Sequence, residues 1–136
     1  MMTRRALITT AALATLALSA APSGAHAVLV RSAPAARAVL SRPPDRVELW
    51  FSEAIEPAFS TLAVWSASGA RIDRGDVLVG PDDSWWLSVS VPSLEPGEYS
   101  VRFRVLSVDS HVVESSFSFT VRPQHAGRVP SPLTGS

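Results

Sequence analysis

Apolar and polar residues alternate through most of the chain. Val47, Leu49 and Phe51 are separated by Glu48 and Trp50, Leu62 and Val64 follow, and Leu87, Val89 and Val91 are separated by serines. The same spacing runs through Tyr99, Val101, Phe103 and Val105, which alternate with Ser100, Arg102 and Arg104, and through Phe117, Phe119 and Val121. A period of two places every second side chain on one face of an extended chain, so each run predicts a strand with one buried face. Helical periodicity is almost absent after the first residues. The breaks carry turn chemistry: Arg42-Pro43-Pro44-Asp45, Ala67-Ser68-Gly69, Gly80-Pro81-Asp82-Asp83 and Glu95-Pro96-Gly97. Short strands punctuated this way predict an all-β domain, a small sandwich or Greek-key barrel.

With 136 residues, 46% of them hydrophobic and 18% charged, the chain has room for one domain with its own core. Both ends depart from the strand pattern. Arg4 and Arg5, the apolar run from Ala6 to Ala20 and the small residues from Ala21 to Ala25 read as an export signal over residues 1–25. The run is shorter than the roughly 20 residues that a membrane-spanning helix needs, which favours cleavage over anchoring. The paired arginines also resemble a twin-arginine signal, leaving the export route open between the two systems. Residues 123–136 carry three prolines, two glycines and few large apolar groups, and read as a flexible tail.

Charge narrows the function classes. Twelve basic residues, all arginine, balance twelve acidic ones, so there is no basic footprint for nucleic acid. The absence of cysteine removes disulfides, thiolate metal sites and cysteine nucleophiles together. Any bound metal must be held by nitrogen and oxygen.

Such donors are present. Of the three histidines, His125 falls in the tail and is expected to be solvated. His111 closes the triplet Asp109-Ser110-His111, just beyond the Tyr99 to Val105 run. A continuing strand would point Asp109 and His111 to the same side, where carboxylate and imidazole could converge on a divalent ion. His26 lies at the signal boundary. Cleavage after Ala25 fits the small-residue rule and makes His26 the new N-terminus; cleavage after Ala27 fits it too, looks more like the common A-x-A pattern, and discards His26. In the first register the free α-amine and the ring nitrogen of His26 chelate one ion. With His111 and Asp109 the set becomes three nitrogens and one oxygen, which suits the tetragonal preference of Cu(II).

The stretches "HAVLVRSAPAARAVLSRPPDRVELWFSEAIEPAFSTLAV" and "GEYSVRFRVLSVDSHVVESSFSFTV" resemble the opening and closing segments of the CopC family of periplasmic copper-binding proteins, over residues 26–122. The histidine after the signal, Phe51-Ser52-Glu53 and the run from Arg104 to His111 carry the likeness most specifically. The resemblance implies an immunoglobulin-like Greek-key β-domain that is not an enzyme, a mature chain beginning at His26, and a Cu(II) site built from His26, Asp109 and His111. Glu53 matches a glutamate near that site in some members, and is expected as a weak ligand, an outer acceptor or a solvated carboxylate. The resemblance further implies copper buffering, transfer or resistance outside the cytoplasmic membrane, with a CopD-type membrane transporter as partner. Members that also bind Cu(I) do so in a methionine-rich segment, whereas this chain has only Met1 and Met2, both in the signal.

Two other functions fit parts of the pattern. An N-terminal histidine with a second histidine also resembles the histidine brace of copper oxygenases, although Asp109 would fill a position that oxygen needs. A metal-free immunoglobulin-like interaction module would need only the strands. Trp85 and Trp86 are adjacent, so only one of them is expected to join the core.

Overall fold

A computed structural model describes residues 27–80 and 84–124. The proposed signal, His26, most of the tail and part of the Gly80 to Asp83 turn lie outside the described residues.

Eight strands are present among the described residues: β1 (Leu29–Ala33), β2 (Val39–Leu40), β3 (Arg46–Phe51), β4 (Thr61–Ser66), β5 (Leu78–Val79), β6 (Trp86–Ser90), β7 (Gly97–Leu106) and β8 (Val112–Val121). The one helical element described is a single 3₁₀ turn at Pro57–Phe59. The strands form two four-stranded sheets, in the orders β1-β3-β6-β5 and β2-β8-β7-β4. All described pairings are antiparallel except β2 with β8. This order is that of an immunoglobulin-type sandwich, with the first strand split between the two sheets.

The alternation read from the sequence is the alternation of burial. Val47, Leu49 and Phe51 face inward from one sheet, while Leu62, Val64, Val101, Phe103, Val105, Phe119 and Val121 face inward from the other, each at most 3% exposed. Phe51 meets Phe103 edge-on at 5.6 Å between ring centroids, which joins the sheets at one end. At the other end Tyr99 stacks on Phe119 at 5.5 Å and donates its hydroxyl to the Glu95 carbonyl at 2.6 Å. That bond is the tyrosine corner of immunoglobulin-like domains. Tyr99→Phe keeps the ring but leaves the carbonyl without its donor, and is expected to cost about 1–2 kcal/mol in urea unfolding.

Two expectations need correction. Neither Trp85 nor Trp86 joins the core. Trp86 stands on the outer face, opposite Trp50, and donates Nε1–H to Glu48 Oε2 at 2.9 Å. Trp85 precedes the strand at the end of the sandwich and is 53% exposed. β1, β2 and β5 were not apparent from periodicity. β1 has a register shift between Leu29 and Arg31 and mixed burial, and the other two are two residues long.

Candidate metal centre

Four segments gather at one end of the sandwich: the entry to β1, the loop after β3, the start of β6 and the connection from β7 to β8. The loop at residues 52–56 ties them together. Ser52 exchanges two hydrogen bonds with Val28, its amide to the Val28 carbonyl at 2.8 Å and its hydroxyl from the Val28 amide at 2.9 Å. The Ile55 amide donates to Ser84 at 3.0 Å, the Glu56 amide to Leu106 at 2.8 Å, and the Val108 amide donates to Ala54 at 3.1 Å. Glu53, half-buried, sits in the middle of this strap.

Asp109 and His111 do converge, but not by strand alternation. β7 ends at Leu106, and residues 108–110 form a three-residue hairpin loop. The Ser110 amide donates to Ser107 at 3.0 Å, the Ser107 amide donates to the His111 carbonyl at 2.8 Å, and Ser110 takes the left-handed conformation at φ 72°. A turn followed by one left-handed residue is the standard way to close a hairpin of this length. It brings His111 Nδ1 to 3.2 Å from Asp109 Oδ2. Ser107, 1% exposed, donates its hydroxyl to Asp109 Oδ1, and accepts from the His111 amide at 3.2 Å. The Ser107 hydrogen bond, the largest effect, together with the contact with His111 holds the Asp109 carboxyl below the ordinary carboxylate value, against an opposing effect of burial that ranks between the two.

The donor chemistry fits a small divalent ion. Cis ligands at bonds of roughly 2.0–2.2 Å lie about 2.8–3.1 Å apart on one edge of a square plane. The oxygen–nitrogen separation is close to that edge, so an ion replacing the shared proton would need little rearrangement. The two side chains are 35% and 45% exposed, open to exchange. Among the described residues no three His, Asp or Glu side chains come together as a metal-holding group. The expected ligand set therefore depends on His26, which precedes the wholly buried Ala27 and lies outside the described residues. Ser107 was missed by motif reading because serine is frequent in these strands; its place two residues before the aspartate was the available signal.

The CopC domain family model matches residues 29–122. The chain belongs to the CopC family. Protein YobA of Escherichia coli (strain K12) is 32% identical over 121 residues, covering 88% of this chain and 98% of that protein. The crystal structure of CopC from Methylosinus trichosporium OB3b superposes with a TM-score of 0.69 at 35% identity, covering 74% of this chain and 97% of that one. Copper transport protein CutJ of Bacillus subtilis (strain 168) is 27% identical over 106 residues, 77% of this chain but 20% of that longer protein. The CopC family is one of copper resistance and transport proteins, not of enzymes, and this sets aside the oxygenase alternative. No helix among the described residues is long and apolar enough to cross a membrane.

Proposed function

We propose that the exported chain begins at His26 and carries one Cu(II) outside the cytoplasmic membrane, held by the His26 amine and ring, Asp109 and His111. The observation that carries this reading is the convergence at one end of the sandwich. Residues far apart in sequence, the chain entry at Ala27–Val28 and the Asp109–His111 loop, are both strapped to residues 52–56. A histidine placed before Ala27 is then tethered to the same end as the other two donors, and pays little ordering entropy to reach them. Glu53 on the strap is suited to an outer acceptor or weak axial ligand.

The chain's role in this reading is copper buffering and transfer in resistance, with a CopD-type membrane transporter as the receiver. Support comes from the surface around the donors. Val28, Phe59, Trp85, Val108 and Val112 are each at least 50% exposed, and all lie on or next to the four gathered segments. Exposed apolar groups around a metal site suit transient docking better than an open aqueous surface does. In the CutJ relative, the matching domain is a minor part of a longer copper transport protein, so a carrier that works against a transport module is a natural counterpart.

Cu(II) titration followed by tryptophan emission tests the donor set. Trp50, Trp85 and Trp86 lie at the donor end, whereas Trp65, opposite Ser100, lies toward the other. Cu(II) is expected to quench the emission of the mature protein at one equivalent, with Trp65→Phe leaving the fractional quenching of the rest undiminished. His111→Ala is expected to weaken binding by more than about 100-fold, beyond the usual loss of an outer-sphere partner. Unchanged affinity in that variant would refute the assignment.

A further inference from the structure

We propose that Ser107 is the positioning residue of this site: its hydroxyl occupies Asp109 Oδ1, so that Oδ2 alone is presented toward His111 and the ion. The inference rests on the donor set proposed above and adds to it a residue that does not touch the metal.

Three features hold Ser107 in place before any ion arrives. It is 1% exposed, it bridges to the buried Ile55, and its amide donates to the His111 carbonyl at 2.8 Å. The hydroxyl has one proton. That proton goes to the ionised Asp109 carboxylate, the strongest acceptor within reach, rather than to the His111 carbonyl at 3.3 Å. The hydroxyl lone pairs then accept from the His111 amide at 3.2 Å. One oxygen atom therefore sets both ends of the triplet: the carboxylate orientation through Asp109 and the backbone position through His111.

The consequence is chemical as well as geometric. A free carboxylate on an exposed loop samples several rotamers and can offer either oxygen, or both, to an ion. Asp109 clamped at Oδ1 offers one oxygen at one edge, 3.2 Å from the imidazole nitrogen, which matches a square-planar ion and disfavours ions that prefer bidentate carboxylate and higher coordination numbers. Ser107 thus acts on affinity and on the choice between Cu(II) and larger oxygen-seeking cations.

A double-mutant cycle on the mature, His26-started chain separates this role from a merely structural one. Ser107→Ala is expected to weaken Cu(II) binding by about 10- to 100-fold. In an Asp109→Ala background the same substitution is expected to cost clearly less, no more than about fivefold, because only the hydrogen bond from the His111 amide is left to lose. Cu(II) electron paramagnetic resonance of Ser107→Ala should show altered hyperfine splitting, and Ser107→Thr, which keeps the hydroxyl, should restore the wild-type spectrum. Far-ultraviolet circular dichroism confirms that each variant is folded. Equal losses in the two backgrounds, no loss in either, or a threonine variant with the alanine variant's spectrum would overturn the proposal. An Asp109→Ala chain that binds Cu(II) as tightly as the unsubstituted one would instead refute the donor set itself, and the positioning role with it.

Discussion

Mature protein starting at His26 is expected to bind one Cu(II), and protein starting at Val28 is expected to lose that binding by well over about 100-fold. Starting at Val28 removes the His26 amine and ring together, and the new α-amine falls on the Val28 nitrogen, which is tied to Ser52 Oγ at 2.9 Å, so the Asp109–His111 pair is left to hold an ion that favours four donors. His26→Ala is the milder change, because the amine survives and only the imidazole is lost. A chain that retains residues 1–25 is a third case: its residue 26 nitrogen is an amide, without the lone pair that an amine offers. The expected order of affinity is thus the His26 start first, then His26→Ala, then the retained leader, whose imidazole has no amine beside it, and finally the Val28 start. Isothermal titration with a competing chelator reads all four. Equal affinities for the His26 and Val28 starts would remove the N-terminal chelate from the site.

Asp73→Ala should have the largest effect on stability among the polar substitutions, about 3 kcal/mol, or roughly 15 °C in melting temperature for a domain of this size. The Asp73 side chain is fully buried in the connection between β4 and β5. One of its oxygens accepts from the Val64 amide at 2.9 Å and Arg71 Nε at 2.8 Å, and the other from the Gly75 amide at 2.9 Å and Arg71 Nη2 at 3.0 Å. Removal leaves two amides without acceptors and the Arg71 guanidinium without its partner. Arg71→Ala is expected to cost less than that but still about 1–2 kcal/mol: the arginine is half exposed, yet its loss takes two charge-assisted hydrogen bonds from a fully buried carboxylate.

The same carboxylate gives the fold a pH dependence of definite sign. Burial raises its proton affinity, but the hydrogen bonds from Arg71, Val64 and Gly75 together with the Arg71 charge outweigh it, and the carboxyl sits below its ordinary value. The unfolded chain therefore takes up the proton first as the solution is acidified. The stabilisation from Asp73 is complete above the ordinary carboxylate value of about 3.9 and drains away as pH falls through the lower folded value. Asp73→Ala should flatten this acid limb, and unfolding curves between pH 2 and 6 that remain parallel to those of the unsubstituted chain would contradict it.

The sheets were legible in the sequence where a strand has one buried and one exposed face. β3, β4, β7 and β8 meet that condition, and their inward residues, with Leu87 and Val89 of β6, are those picked out by the period of two. The strands that were not legible lack it. β1 changes register between Leu29 and Arg31, which interrupts its alternation, and β2 and β5 are too short for any period to register. β6 shows a limit of another kind: Ser88, on the polar phase of the pattern, is only 1% exposed between its neighbours Glu48 and Leu78. Period alone cannot reveal that an outer face is covered.

At the site the residues were legible and the reason was not. Asp109 and His111 were singled out because they are two apart, as on a strand, yet a left-handed Ser110 and a hairpin loop bring them together. The strap formed by residues 52–56 could not be read from sequence, because its hydrogen bonds run from backbone atoms of ordinary residues. What the copper-binding reading most needs is the identity of residue one in the exported protein. Native mass spectrometry of the exported protein, with and without Cu(II), supplies it directly. A chain mass beginning at His26 that gains one retained copper is the predicted result; a chain beginning at Val28, or one that begins at His26 and retains no copper, would contradict the account.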